Sequence, residues 1–401
     1  MKSGFPVARI GRLRQALERH VEAGLAPGLV ALVSRGDEVH VEAIGVQAKD
    51  KPAPMRRDTI FRIASMTKPI TAAAALMLVE ECKLRLDEPV DRILPELADR
   101  RVLKSVTSPL DETVPARRPI TLRDLLTFTL GFGMVLGQAE EPPIAKAAKE
   151  LRLQAFGVPE GATPHPPDEW LRRFATLPLL HQPGRAFRYH TGSEILGILI
   201  ARASGQPLEA FLRERIFAPL GMVDTGFTVP PEKLDRMSDL YGVDDAGKAA
   251  AVIDTGAITR WRRERPFPSG GGGLVSTVDD YLAFGRMLLN GGAHGGARIL
   301  SRLSVEAMTT DQLTPEQKSA SPFLPGFWES HGWGFGLSVV TRRDGPTNVP
   351  GRFGWDGAYG TSWTSDPKEG LTGVLMVQRF ALPFTSPITN DFWTSAYQAI
   401  D

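Results

Sequence analysis

Ala64-Ser65-Met66-Thr67-Lys68-Pro69-Ile70-Thr71-Ala72-Ala73-Ala74-Ala75-Leu76-Met77-Leu78 sets a hydroxyl and an amine three positions apart at the mouth of an alanine-rich helix. Proline lacks an N–H and is tolerated only in a helix's first turn, so Pro69 keeps the helix from beginning much before Ser65. Strong helix formers follow, and residues three apart share a face, so Ser65 and Lys68 are expected to meet. The helix's positive end stabilises a developing alkoxide. A lysine desolvated by the apolar stretch gives up its proton more easily and becomes a usable base. The pair is a nucleophile with a base beside it, and the chemistry implied is acyl transfer. Ser365-Asp366-Pro367-Lys368 repeats the spacing, but its proline is misplaced and Glu369-Gly370 follow, so it reads as a turn between strands.

Outward from that stretch, composition narrows the classes. A chain of 401 residues, 42% hydrophobic, is long enough for one large or two intimate globular domains. Forty-seven basic against forty-six acidic residues leave a formal charge of +1, so no global field attracts nucleic acid or an anionic membrane. The densest basic run, Arg260 to Arg265, runs into Pro266 and Pro268 and is expected in a solvated loop. The single cysteine, Cys82, excludes an internal disulfide and is expected to be buried late in the alanine-rich helix. No sustained apolar segment opens the chain and no span reaches membrane length, so a cytoplasmic enzyme is expected.

Apolar residues at Ile10, Leu13, Leu17 and Val21 give helical periodicity from Arg9 to Ala23. Leu29–Val33 and Val39–Ala43 flank Arg35-Gly36-Asp37 and are expected to pair as an antiparallel hairpin. From Leu86 to Gly292 helical periodicity dominates. Strand signals return at Gly334 to Val340, Ala358 to Thr364 and Thr372 to Val377, before a closing helix from about Asn390 to Ile400. The expected fold is thus α/β (α+β): an antiparallel sheet flanked by helices, built from 1–85 and 293–401. A mostly helical second domain, 86–292, is inserted, with the active site in the cleft between them.

Asp58-Thr59-Ile60-Phe61-Arg62-Ile63-Ala64-Ser65-Met66-Thr67-Lys68 resembles the active-site entry of the serine β-lactamase and DD-peptidase superfamily. Ile120 to Thr127, Gly197 to Gly205, Phe217 to Met222 and Gly271 to Thr277 are similar to its class C branch. The resemblance covers most of residues 25 to 380. It implies a β-lactamase/DD-peptidase-like fold and a second element, Tyr-x-Asn. Phe187-Arg188-Tyr189-His190-Thr191 stands in that place, with Tyr189 matching and Thr191 departing. A tyrosinate at Tyr189, its pKa lowered by the charge of Lys68, would serve as general base toward Ser65, assisted by Lys68, and then protonate the leaving alcohol. His190 is read as a neighbour of Tyr189 and not as a base.

The third element, Lys-Thr-Gly in β-lactamases, is replaced by Trp355-Asp356-Gly357, followed by Ala358-Tyr359-Gly360-Thr361. This departure is similar to the family VIII carboxylesterases, and the resemblance implies ester cleavage. It makes the backbone amides of Ser65 and Ala358 an oxyanion hole, with Gly357 letting the strand approach the substrate and Trp355 shaping the pocket. A β-lactam carboxylate needs a cation; an anion at Asp356 instead, about 5 Å away at an effective dielectric of about 20, would cost on the order of 3 kcal/mol. Strand alternation turns Asp356 away if Trp355 faces the cleft. Phe132, Met134, Val135 and Leu136, in a glycine-punctuated loop, are candidates for an apolar rim.

No serine has the glycine spacing of a nucleophile elbow. Gly242 to Ala249 nearly spells a phosphate loop, but Ala249 replaces the required hydroxyl and no apolar strand precedes it. No zinc-helix or calcium-loop pattern occurs, so neither metal nor cofactor is expected. The expected partner is a small-molecule ester, cleaved through an acyl-serine. A β-lactamase or D-amino peptidase, an acyltransferase using the same acyl-enzyme, and a non-catalytic binding protein of the same fold stand as alternatives.

Overall fold

The computed structural model describes residues 5–50, 52–135, 140–153, 163–256, 259–380 and 386–400. At its centre is a seven-stranded, fully antiparallel sheet assembled from the two ends of the chain. Strands β1 (Gly28–Arg35) and β2 (Glu38–Gly45) form the expected hairpin, closed by the two-residue turn Gly36-Asp37. The others are β3 (His331–Trp333), β4 (Ser338–Val340), β5 (Phe353–Gly357), β6 (Thr361–Asp366) and β7 (Leu371–Val377). Their order across the sheet is β3-β4-β5-β6-β7-β1-β2, so Leu29 near the start pairs with Val377 near the end.

Period-two alternation sends β1 and β7 side chains to two different cores. Leu29, Ala31, Val33, Leu371 and Leu375 pack against helices α1 (Val7–Glu22) and α5 (Pro387–Gln398). Val30, Leu32, Val374 and Met376 join the larger core on the opposite face, with α2 (Thr67–Glu80), α3 (Thr191–Ser204) and α4 (Val278–Leu289). Helix α2 is buried all round from Thr67 to Leu78, which is why its sequence shows almost no polar face. The stretch between α2 and α4 holds α3 and several short helices, and also the small hairpins Arg101–Leu103/Thr113–Pro115 and Leu240–Val243/Ala249–Asp254. Among the described residues, no single helix is long and apolar enough to cross a membrane.

Three local expectations are corrected. Cys82 lies beyond the end of α2, exposed, with φ 58°, because the helix stops at Glu80. The strand expected from Gly334 begins only at Ser338. Gly334 N–H turns back to Leu337 O, and Gly336 N–H bonds to Leu126 O instead of to a strand. The strand expected from Ala358 begins at Thr361, since Ala358 to Gly360 form the β5–β6 turn, closed by Gly360 N–H to Gly357 O. Ser365 of the repeated spacing is a buried strand residue whose hydroxyl bonds Thr372 and Gly285 O.

Candidate active site

Ser65 sits in a 3-10 turn, Ala64–Met66, that runs directly into α2, with Pro69 in the helix's first turn. Ala64 just before it is held at φ 44°, a conformation unusual for a non-glycine residue. Three anchors hold the turn. Tyr281 of α4 donates its hydroxyl to Met66 O at 2.7 Å, Ile63 N–H reaches Leu274 O, and Thr361 donates to Ile63 O at 3.2 Å. Ser65 itself is half-buried, while Lys68 has no exposed surface.

Lys68 Nζ lies 3.0 Å from Ser65 Oγ, 3.1 Å from His190 Nδ1 and 2.6 Å from Gly271 O. Burial drives its pKa down to about 7, against the pull of Glu194 in the other direction. The amine is therefore free to accept a proton near neutral pH. Tyr189 behaves differently from the tyrosinate expected of it. Lys68 Nζ stands over its ring, 4.6 Å from the centroid, and the hydroxyl accepts a hydrogen bond from Trp355 Nε1 at 2.6 Å and is bonded to Ser65. Burial among Phe128, Phe323, Trp333 and Trp355 pushes the phenol well above its ordinary pKa and outweighs both hydrogen bonds, so it stays neutral.

The structure brings Ser65, Lys68, Tyr189 and Trp355 together and lays β5 against the serine's turn. A Cβ on Gly357 would collide with Ile63 O and Thr361 Oγ1, so only glycine lets the strand lie there. Gly357→Val is expected to cost about 1–3 kcal/mol of stability. Ester turnover should fall further than folded protein does, because the clash pushes on the residue two before Ser65; urea unfolding run beside turnover checks both. Ala358 begins the turn just after Gly357. Asp356 faces away, as alternation requires, toward the α5 side, where it bonds Ser362 and burial raises its pKa to about 6. Asp356 then puts no charge into the cleft, and of the Lys-Thr-Gly departures the missing lysine is the one that counts there.

Phe132, Met134 and Val135 do line a cavity of about 80 Å³, with Ile144, Trp170 and Phe174 as its apolar walls; Leu136 lies outside the described residues. The polar end of the cavity is Thr191, His190 and Glu194. The basic run divides: Arg262 and Arg263 are exposed, but Arg265 stacks over buried Trp261 at 4.4 Å and donates to Gly273 O at 2.9 Å.

Sequence reading missed the groups behind Lys68. His190, at φ 88° just before α3, is buried, and its Nε2 lies 3.0 Å from Oε1 of the buried Glu194. Ser269 donates to Glu194 Oε1 at 2.6 Å and Gly271 N–H to Oε2 at 3.4 Å. A Cβ on Gly271 would fall 2.7 Å from Glu194 Oε1, so position 271 keeps a glycine. The available signal was an acid four residues after His190, one helical turn on. Among the described residues no group of three or more His, Cys, Asp or Glu gathers as a metal site.

Comparison with known proteins shows the family. The chain matches the model of the Beta-lactamase family over residues 13–398. Protein Rv1367c of Mycobacterium tuberculosis is 42% identical over 91% of this chain and 89% of its own. Esterase EstB of Burkholderia gladioli is 33% identical over 90% and 88%. The solved structure of EstCE1, a hydrolase with promiscuous acyltransferase activity, superposes with a TM-score of 0.79 at 26% identity, over 97% of this chain and 99% of its own. With a serine and a desolvated lysine 3.0 Å apart at the head of α2, the chain belongs to the β-lactamase family, as a hydrolase or acyltransferase of the serine β-lactamase and DD-peptidase superfamily.

Proposed function

We propose that the protein is a serine carboxylesterase that cleaves esters of short to medium acyl chains through an acyl-Ser65 intermediate, without a cofactor. The observation that carries this reading is Trp355, which stands where β-lactamases have a lysine and spends its N–H on Tyr189. No ammonium on β5 is left to hold a β-lactam carboxylate. The cavity beside His190, about 80 Å³, is well below the roughly 300–1,000 Å³ of drug-sized pockets and suits a small apolar acyl or alcohol group. The likeness to Esterase EstB supports the same chemistry.

In this mechanism Ser65 Oγ attacks the ester carbonyl carbon and its proton passes to the neutral amine of Lys68. The carbonyl oxygen takes the negative charge and is held by the Ser65 and Ala358 amides. As the tetrahedral intermediate collapses, the carbon–oxygen bond to the alcohol breaks. The Tyr189 hydroxyl protonates the departing oxygen and recovers a proton from Lys68. Water then attacks the acyl-serine by the same route in reverse, and an alcohol in its place would make the reaction acyl transfer.

The test sets p-nitrophenyl acetate and butyrate beside a chromogenic cephalosporin. A lysine–carboxylate pair at 4 Å is worth about 4 kcal/mol at an effective dielectric of about 20, so losing it should leave kcat/KM for the cephalosporin at least ~100-fold below the esters. Faster cephalosporin cleavage overturns the esterase reading. Transfer product outrunning hydrolysis when alcohols are added assigns the enzyme to acyl transfer.

A further inference from the structure

We propose that His190 and Glu194 are positioning residues that orient the Lys68 amine, so that its lone pair, and not an N–H, points at Ser65. The proposal deepens the esterase reading and rests on it. A neutral amine has two N–H groups and one lone pair. Around Lys68 Nζ stand three partners: Gly271 O at 2.6 Å, Ser65 Oγ at 3.0 Å and His190 Nδ1 at 3.1 Å. A carbonyl can only accept. If Nδ1 also accepts, both N–H groups are used and the lone pair is left for the serine's proton.

Glu194 is what makes Nδ1 an acceptor. Its carboxylate is 1% exposed, and Oε1 lies 3.0 Å from Nε2, a negative charge that favours placing the single proton of neutral His190 on Nε2, the nitrogen facing it. The carboxylate is held in turn by the Ser269 hydroxyl and the Gly271 amide. The same glycine thus offers its carbonyl to Lys68 and its N–H to Glu194. His190 pays for this placement with a backbone at φ 88°, ψ −61°, a strained conformation that persists only where the surroundings enforce it. The charged and titratable groups facing the pair are Lys68 and Tyr189 on the serine side and Arg265, which acts on Glu194 from beyond the glycine loop. When Lys68 has taken the proton, its third N–H points to Ser65 and neither His190 nor Glu194 need change protonation.

Glu194→Gln keeps the shape but lets an amide N–H face Nε2, which moves the histidine's proton to Nδ1 and turns an N–H toward Lys68. The expected result with p-nitrophenyl butyrate is a kcat about 10²-fold lower with KM within about twofold. The acid limb of kcat/KM should also shift to lower pH, because the carboxylate that raises the lysine's pKa is gone. His190→Leu removes the acceptor and should lose as much. His190→Asn, whose amide oxygen can stand near Nδ1 and which tolerates positive φ, should recover most of that loss. Rates are normalised to the folded fraction of each variant read by circular dichroism, so unfolded protein does not enter. Near wild-type kcat in Glu194→Gln and His190→Leu overturns the proposal, and so does a loss that Asn does not rescue and that leaves the acid limb in place. Ser65→Ala run alongside separates the two readings: its activity surviving would overturn the esterase mechanism, whereas a dead Ser65→Ala with an unaffected Glu194→Gln overturns only the orienting pair.

Discussion

Ser65→Ala is expected to lower kcat/KM toward p-nitrophenyl butyrate by about 10⁴-fold or more, with the thermal midpoint nearly unchanged. The size follows from what remains. On the proposed mechanism the Ser65 and Ala358 amides and the Lys68 base remain and can still polarise an ester, but no covalent route exists. The midpoint holds because Ser65 is half-buried and, among the described residues, its hydroxyl bonds Lys68 and Tyr189, while the turn is fastened by backbone bonds and by Tyr281 and Thr361. Mass spectrometry of enzyme quenched during turnover gives the complementary result: an acyl adduct on the wild type, none on the variant.

Lys68→Met is expected to lower kcat by about 10²–10⁴-fold, the range for loss of a general base. Methionine matches the stem of lysine in a site with no exposed surface, so the change removes chemistry with little repacking. The wild-type pH profile should identify the amine. With a pKa near 7, log kcat/KM climbs about one unit per pH unit below that value and levels above it; the variant's residual activity should lack this limb. Stability also rises with pH, but over a higher window. Because folding lowers the lysine's pKa from 10.5 to about 7, the unfolded chain binds the extra proton between those values, and wild-type stability rises with pH across that window. Methionine carries no such penalty, so its variant should match or exceed the wild type's midpoint at pH 7, with the gap narrowing toward pH 10. A variant markedly less stable at pH 7 would contradict the burial account of the lysine.

The serine and lysine were legible because their meeting is a local event, decided by helix periodicity and one proline. The β1–β2 hairpin was legible for the same reason, with its turn residues and alternation contiguous in sequence. Trp355 and Gly357 were found by resemblance to a family, and alternation then anticipated the outward turn of Asp356. What failed was long-range or marginal. The Gly271 carbonyl reaches Lys68 from a distant glycine run that composition marks only as a loop. Cys82 was placed in the helix because nothing in its residue type announces a stop at Glu80. His190 looked incidental because histidine has many bland environments, and only its distance to both Lys68 and Glu194 distinguishes this one. The neutral phenol of Tyr189 depends on aromatic neighbours drawn from three separate segments, a desolvation that no single stretch reveals.

The seam between β1 and β7 dictates when this protein can fold. The hairpin is synthesised long before β7, so the register Leu29–Val377 cannot form until β7 has been made. Until then the hairpin has an apolar face and an open edge at β1, the strand that later fills an interior place in the sheet. Closing so long a loop costs entropy before any contact rewards it, so sheet completion comes late and slowly. Truncation between His190 and Leu371 therefore leaves the β1 edge of the hairpin unpaired and exposes it to self-association, even though Ser65, Lys68 and His190 have already been made.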